Sequence, residues 1–279
     1  MSPNRSTIMT ALTTLTAIAL ACLALYGAAL ALLWFKQESL LFAPTVLPPN
    51  QVLALAPDIH EVSIDVPGAR LSALHLRLPK PKGVVFFLHG NAGSLESWFV
   101  NADFYRRANF DLFMLDYRGY GKSTGRIESE AQLHADVRAA WNVLAPQYAG
   151  RKRVIYGRSL GSGLAARLAA ELSATQAPDL TVLVSPYRSM AALAADHYAW
   201  VPAWVLRYPM RTDQLVAQIQ GPLVLVDADL DQLIAPRHSD ALKALVPRAE
   251  QWHIAGAAHN NIHQFDSYLN AFASRLAKL

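Results

Sequence analysis

Ser159 lies at the centre of the stretch Gly157-Arg158-Ser159-Leu160-Gly161, where an apolar, strand-like run gives way to an alanine-rich helical pattern. The motif G-x-S-x-G at a strand-to-helix turn holds a serine hydroxyl clear of the backbone, and the two glycines relieve the crowding around it. The amino end of the following helix favours the negative charge that develops during attack on a carbonyl. A serine here could instead only cap its helix. The motif therefore predicts a nucleophile, provided that a base lies within reach.

Serine is a poor nucleophile at neutral pH, so it needs a base, and the base needs a carboxylate to orient it. His259 follows the last predicted strand, after Gly256, and among nine histidines its position best allows it to reach Ser159 from above the sheet. Asp229 and Asp231 both follow the run "PLVLV", and Asp231 opens "DQLIAP" just before a helix. We predict Ser159, Asp231 and His259 as a catalytic triad, with Asp229 as the alternative acid.

Acyl transfer also requires backbone N–H groups that point at the developing oxyanion. The run "LHGNAG" follows a central strand, and its glycines let backbone amides turn inward. We predict the amides of Asn91 and Leu160 as the oxyanion donors. His89 stands beside Gly90, and we expect it to brace this loop by hydrogen bonds rather than to act as the base.

Other chemistries have weaker support in the sequence. His259 and His263 stand four positions apart, but no third ligand accompanies them, so we predict no metal site. The run "GYGKST" resembles the end of a P-loop, but Asp116 stands where that motif requires glycine. Lys+Arg 25 against Asp+Glu 21 gives no basic excess of the kind that marks a nucleic-acid partner. We therefore expect a small-molecule substrate, no cofactor and no nucleic acid.

The elements that must position these residues alternate between strands and helices from about residue 83 to the end of the chain. Such alternation predicts right-handed crossovers and a mostly parallel sheet with helices on both faces, an α/β fold in which ligands gather at the carboxyl ends of the strands. Eight strand-like runs are present: "EVSIDV", "RLSALHLRL", "GVVFFLHG", "DLFMLDYRG", "RVIYGRS", "LTVLVSP", "PLVLVDAD" and "EQWHIAGA".

Residues 187–221 interrupt this alternation. Their prolines and clustered aromatics favour a short, bent helical insertion over another strand–helix unit, so we predict a small lid. Four aromatic side chains in this segment could line an acyl pocket or simply pack the lid: Tyr187, Tyr198, Trp200 and Trp204.

The N-terminal part of the chain is apolar, with no charged residue from Ile8 to Phe35. That run is long enough to cross a hydrocarbon layer of roughly 30 Å at about 1.5 Å per residue. A cleavable signal peptide and a buried core helix are the alternatives, but the apolar run continues past the small residues that could form a cleavage site. We predict an uncleaved membrane anchor. The single cysteine, Cys22, lies within it, so no internal disulfide is possible.

The predicted organisation is an anchor at 1–36, a proline-rich connecting arm at 37–60, and an α/β domain at 61–279 that carries the lid. Arg5 precedes the apolar run, whereas Lys36 and Glu38 follow it. The positive-inside bias then favours a cytoplasmic N-terminus, with the α/β domain on the non-cytoplasmic side of a single-pass membrane protein.

Five motifs, "LHGNAG", "LDYRGYGKSTG", "GRSLGSGLAA", "DQLIAP" and "GAAHNN", follow the apolar span in this order. Together they resemble the α/β-hydrolase superfamily, and within it the single-pass, small-lid branch of bud-emergence-like or serine aminopeptidase-like hydrolases. The resemblance implies an eight-stranded core sheet, with Ser159 as nucleophile, His259 as base, Asp231 as acid, and Asn91 and Leu160 as oxyanion donors. Two departures stand out, because "DAD" replaces the usual His-Gly pair and "GAAH" replaces Gly-x-Gly-His.

The function expected from these observations is hydrolysis of a carboxylic ester or thioester through an acyl-enzyme. A lipid-like acyl ester is the first candidate substrate, because the anchor would hold the pocket near lipid. An aminopeptidase- or amidase-like serine hydrolase is the alternative within enzymes. A membrane-tethered binding protein that kept the fold without catalysis is the alternative outside them.

Overall fold

The computed structural model describes residues 5–279 of the chain. A two-stranded parallel sheet pairs β1 (Ala43–Pro44) with β5 (Ala92–Gly93). The main sheet contains the other eight strands, which are β2 (Ile59–Val66), β3 (Ala69–Leu76), β4 (Gly83–Leu88), β6 (Phe110–Leu115), β7 (Lys152–Arg158), β8 (Leu180–Val184), β9 (Leu223–Ala228) and β10 (Glu250–Ile254).

The strands of the main sheet lie in the order β10-β9-β8-β7-β4-β6-β3-β2. Only β3 runs against its neighbours, because it pairs antiparallel with both β2 and β6, whereas the remaining pairs are parallel. All eight predicted strands are present, and the predicted eight-stranded, mostly parallel α/β-hydrolase sheet is confirmed.

Nine α-helices accompany the sheets in the described residues 5–279: α1 (Arg5–Leu41), α2 (Leu95–Trp98), α3 (Ala102–Ala108), α4 (Glu130–Leu144), α5 (Leu160–Leu172), α6 (Met190–His197), α7 (Thr212–Leu215), α8 (Arg237–Leu245) and α9 (Asp266–Ala277). Four short 3₁₀ turns lie at Ala145–Tyr148, Ala203–Val205, Val216–Gln218 and Ile262–Gln264. The predicted lid segment, 187–221, contains α6, α7 and two of these turns.

Two hydrophobic cores cover the two faces of the main sheet, because successive side chains of a strand point to opposite faces. In β4, Val84 and Phe86 belong to the core under α4 and α5, where Trp141 packs edge-on against Phe86. Val85 and Phe87 belong to the opposite core under α3 and α9. Strands buried on both faces explain why the middle of the sequence contains continuous apolar runs instead of alternating ones.

Helix α1 is long and apolar enough to cross a membrane by length and composition, and most of its apolar side chains are exposed. It ends at Leu41 rather than near residue 36, so the first residues of the predicted arm are helical. The side chain of Gln37 explains the extension: its Nε2 donates to the carbonyl O of Val205 (3.1 Å), and its Oε1 accepts from the N–H of Arg207 (2.6 Å). Contacts with the lid therefore stabilise the last turn of α1.

Candidate active site

Ser159 occupies the single position between the end of β7 and the start of α5, with φ 52° and ψ −122°. A positive φ is uncommon for a residue other than glycine, and it turns the chain sharply enough to expose the side chain. The neighbouring glycines are required for space. A Cβ added at Gly157 would lie 2.2 Å from the carbonyl O of Gly161, and one added at Gly161 would lie 2.0 Å from that of Leu88. The turn can therefore form only with glycine at both positions.

His259 lies between Ser159 and Asp231. Its Nε2 is 3.1 Å from the Oγ of Ser159, and its Nδ1 is 2.7 Å from the Oδ2 of Asp231. An ionised carboxylate only accepts hydrogen bonds, so Nδ1 donates to Asp231, which leaves Nε2 free to accept the proton of Ser159. The three side chains thus form one continuous chain of hydrogen bonds in the order that general-base activation of a serine requires.

Asp231 is held in its ionised form by its surroundings. Burial raises the cost of the charge, but the hydrogen bonds from His259 and from the N–H of Ile234 outweigh that cost and hold the pKa of Asp231 below its usual value. Its Oδ1 also accepts the N–H of Leu233 at 3.0 Å. Asp229, the alternative acid, is exposed, and its side chain has no part in this network.

The amides predicted to hold an oxyanion belong to residues that line one cavity with Ser159. Leu160 is the first residue of α5, so its N–H has no acceptor within the helix. Asn91 follows β4, and its carbonyl O is occupied by the N–H of Ala43 and the hydroxyl of Tyr120. Both residues line the cavity around Ser159. We call it the front cavity, and its volume is about 110 Å³.

The four lid aromatics of the prediction divide into two groups. Tyr187 is buried and lines the front cavity, where its hydroxyl donates to the carbonyl O of Leu160 (3.1 Å). Tyr198, Trp200 and Trp204 do not line it, and all three are exposed on the lid. Leu40 and Leu41 of α1 line the cavity instead.

Leu40 and Leu41 are therefore site residues that the sequence analysis did not identify. The remaining apolar wall of the front cavity consists of Met190, Leu193, Leu233 and Ile234. The sequence analysis places both leucines in the proline-rich connecting arm at 37–60, and nothing in that assignment indicates a role in the site. Spacing along the chain could not show that the last turn of an apolar helix reaches a loop more than a hundred residues away.

Within the described residues, no histidine other than His259 forms a hydrogen bond with the hydroxyl of Ser159. His89 is fully buried beneath the loop, where its Nδ1 is 2.7 Å from the carbonyl O of Gly90. His253 pairs with Asp227 at 2.6 Å on the edge strand β10. Within residues 5–279, no three His, Cys, Asp or Glu side chains are grouped as a metal site would require.

A family model described as serine aminopeptidase, S33, matches residues 79–211. The matched segment includes Asn91 and Ser159 but ends before Asp231 and His259. It therefore covers the nucleophile turn and the loop beside it, whereas the other two members of the hydrogen-bond chain come from the part of the sheet that follows.

Curated relatives match over a longer part of the chain. Alpha/beta hydrolase domain-containing protein 17B of Homo sapiens is 30% identical over 209 residues, which cover 72% of this chain and 69% of that protein. An uncharacterized protein of Mycobacterium tuberculosis is 29% identical over 245 residues, which cover 84% of each chain.

Solved structures show the same fold. An esterase of Pyrococcus furiosus superposes with a TM-score of 0.65 at 20% identity, covering 85% of this chain and 97% of the esterase. Est1E of Butyrivibrio proteoclasticus, solved with ferulic acid bound, superposes with a TM-score of 0.60 at 17% identity, covering 78% and 96%. The chain belongs to the α/β-hydrolase superfamily, as the sheet order, the serine turn and these relatives together show.

Proposed function

We propose that this protein is a membrane-anchored serine hydrolase that cleaves a carboxylic ester or thioester through an acyl-enzyme, with Ser159 as nucleophile, His259 as base and Asp231 as acid. The observation that carries the proposal is the continuous chain of hydrogen bonds from Ser159 through His259 to Asp231. Within the superfamily, the apolar helix and the short lid favour the single-pass, small-lid branch.

The reaction follows from this arrangement. The Nε2 of His259 accepts the proton of Ser159 as the Oγ attacks the substrate carbonyl, and the buried carboxylate of Asp231 stabilises the imidazolium that forms. The amides of Asn91 and Leu160 hold the oxyanion of the tetrahedral intermediate. His259 then gives its proton to the leaving alcohol or thiol. Water, activated by the same imidazole, attacks the acyl-enzyme, and the acid leaves as the serine is restored.

The apolar wall of the front cavity supports an acyl chain as the part of the substrate that is recognised. Leu40, Leu41 and Leu193 line it beside Ser159. Each methylene buried there contributes about 0.8 kcal/mol, which corresponds to about a fourfold gain in kcat/KM. Because two of these leucines belong to α1, a lipid-like acyl ester remains the first candidate substrate.

An amide-cleaving, aminopeptidase-like activity is the second candidate, and the description of the matched family model favours it. Turnover of acyl esters of graded chain length should be compared with that of aminoacyl arylamides, using the full-length protein. We expect the esters to be cleaved faster and the rate to rise with chain length. Faster cleavage of the arylamides would contradict the esterase proposal and favour the amidase alternative.

The enzyme proposal itself is tested with a fluorophosphonate probe, which reacts with activated serines. Wild-type protein should be labelled, and the Ser159→Ala variant should not. Ser162, three positions further along α5, is buried with its hydroxyl bonded to the carbonyl O of Ser159, so Ser162→Ala is a matched control that should still be labelled. Absence of labelling in the folded wild-type protein, or equal labelling of Ser159→Ala, would contradict the enzyme proposal and favour the binding-protein alternative.

Membrane anchoring by α1 is also part of the proposal, supported by its exposed apolar surface, which is unusual for a helix of a water-soluble protein. Cys22 is the only cysteine, so Cys22→Ser gives a background for single-cysteine labelling. In intact cells, an impermeant maleimide should label Arg151→Cys but reach Ser6→Cys only after permeabilisation. The reverse result would invert the orientation, and equal labelling of both sites in intact cells would contradict a span.

A further inference from the structure

A second cavity, of about 330 Å³, lies behind the loops that carry the site, and we call it the rear cavity. Two of its lining residues are chain neighbours of front-cavity residues: Ala92 and Arg158 line the rear cavity, whereas Asn91 and Ser159 line the front one. The two cavities share no lining residue. The rear cavity extends into the core under α3 and α9, and seven of its lining residues are Phe, Tyr or Trp, among them Trp98, Tyr156 and Phe272.

A buried positive charge forms one wall of the rear cavity. Arg158 is only 5% exposed, and within residues 5–279 no carboxylate pairs with its guanidinium. Its two hydrogen bonds go to the Nδ1 of His263 (3.0 Å) and to the carbonyl O of His259 (2.6 Å), and its Nε has no partner in the described chain. The ring of Trp98, 5.2 Å away, provides only cation–π contact. A buried guanidinium is normally paired with an anion, so Arg158 is suited to bind an anionic ligand.

The polar groups around Arg158 cannot replace that anion. Arginine only donates, so Nδ1 of His263 must be the acceptor in their hydrogen bond. The pKa of His263 is lowered, mainly by burial and secondly by the positive charge of Arg158. Tyr156 and Tyr268 share one hydrogen bond between their hydroxyls at 2.7 Å, and burial raises the pKa of each, so both stay protonated. One hydroxyl of the pair donates to the other, which leaves one O–H available to a ligand.

We propose that the rear cavity binds a hydrophobic carboxylic acid, whose carboxylate pairs with Arg158 and whose aromatic or acyl body packs among the cavity's aromatic side chains. A carboxylate supplies the acceptors that the guanidinium and the tyrosine pair lack, and the apolar walls exclude small, strongly hydrated anions. The cavity volume suits a ligand of about the size of a phenylpropionate. The site is separate from the front cavity and does not depend on the hydrolase proposal.

The proposal is tested by titrating full-length protein in lipid nanodiscs with phenylpropionate, with phenylpropionamide as the neutral isostere, and by following heat and tryptophan fluorescence. Wild-type protein should bind the acid at least about tenfold more tightly than the amide, because the charge-assisted pair forms only with the acid. Arg158→Gln should lose at least about tenfold in affinity for the acid. Arg70→Gln, an equal charge change at an exposed residue paired with Asp65, should bind as wild type does.

Arg158 is buried next to Ser159, so a second variant keeps the test decisive if Arg158→Gln fails to fold. Val100 is exposed at the mouth of the rear cavity, and Val100→Trp should block entry and abolish binding while the protein stays folded. No binding to folded wild-type protein, equal binding of acid and amide, or unchanged binding by folded Arg158→Gln or Val100→Trp would each overturn the proposal.

Binding of the acid in the front cavity, as a reaction product would bind, must be separated from binding in the rear cavity. Protein whose Ser159 carries the fluorophosphonate group has its front cavity occupied, so it should still bind phenylpropionate. Loss of binding in the labelled protein would assign the ligand to the front cavity and overturn the proposal. If the probe does not react, the hydrolase proposal fails. The binding measurements on Arg158→Gln, Val100→Trp and Arg70→Gln still test the rear-cavity proposal.

Discussion

The side-chain Nδ2 of Asn91 donates a hydrogen bond to the carbonyl O of Leu41, 3.2 Å away, so the last residue of the apolar helix is joined directly to the loop beside the nucleophile. The pairing of β1 with β5 continues this connection, since Ala43 pairs with Ala92. The position of the Asn91 amide therefore depends on the helix that we propose to be the membrane anchor.

Asn91→Ala tests this connection, because it removes the side-chain hydrogen bond but leaves the backbone amide. Loss of one such bond costs about 1 kcal/mol, which corresponds to about fivefold in kcat/KM if the oxyanion amide is mispositioned by that amount. The matched control is Gln147→Ala, which removes an amide hydrogen bond to the carbonyl O of Val143 on the outside of the domain and should leave kcat/KM unchanged. Equal kcat/KM for Asn91→Ala and wild type would show that the helix does not position the loop.

Asp231→Asn and Asp229→Asn form a second pair of variants. An amide at position 231 no longer fixes the Nδ1–H tautomer of His259, so we expect kcat to fall by about a thousandfold or more. Asp229 is exposed and outside the hydrogen-bond chain, so its variant should keep wild-type kcat. Single-turnover kinetics with an activated ester would measure both, and a larger loss for Asp229→Asn would reverse the assignment of the acid.

These two aspartates show where sequence reasoning stops. The serine turn and His259 could be placed from the sequence because a strand-to-helix motif and the end of the last strand lie at the same edge of a parallel sheet. Asp229 and Asp231 follow the same strand, β9, and only the path of the loop decides which one faces His259. Likewise, the end of α1 depends on Gln37 contacting Val205, and no local pattern encodes a contact between residues so distant along the chain.

The nucleophile turn also makes a prediction about stability. A Cβ at Gly161 would lie 2.0 Å from the carbonyl O of Leu88 and 2.6 Å from that of His89, and backbone atoms cannot move aside cheaply. We expect Gly161→Ala to cost about 3 kcal/mol or more, which lowers Tm by roughly 6–12 °C for a chain of this size. Gly27 has no atom within 4 Å of its would-be Cβ, so Gly27→Ala is the matched control and should not lower Tm. A wild-type Tm for Gly161→Ala would contradict the observed packing.

The last prediction concerns acid stability, and it rests on a buried cluster away from the site. His75 is 3% exposed, and its Nε2 lies 2.7 Å from the hydroxyl of Tyr148, which donates to Asp111. The pKa of His75 is lowered from an ordinary value of 6.5 to about 4. Burial is the largest cause, and repulsion by the positive charge of Arg77 is the second. Between these two values the unfolded chain binds a proton that the folded chain does not.

Neutral His75 therefore makes its full contribution to the free energy of unfolding above pH 6.5. This contribution is lost as the pH falls from 6.5 through about 4. A difference of that size between the folded and unfolded pKa corresponds to about 3 kcal/mol. Burial raises the pKa of Asp111, whose titration acts in the opposite direction, so the comparison should be made between wild type and His75→Gln, which share it.

Urea unfolding at several values of pH should show that wild type loses about 3 kcal/mol more than His75→Gln between pH 6.5 and 4. His60 is the exposed register partner of His75 on β2, and its charge is the smallest of the three causes that lower the pKa of His75, so His60→Gln should change the wild-type curve only slightly. Parallel curves for wild type and His75→Gln would mean that folding does not lower the pKa of His75, so that His75 becomes charged in the folded protein as the pH falls below 6.5. The charge would then have to be balanced by Asp111, and the cluster would be an ion pair instead of a neutral network.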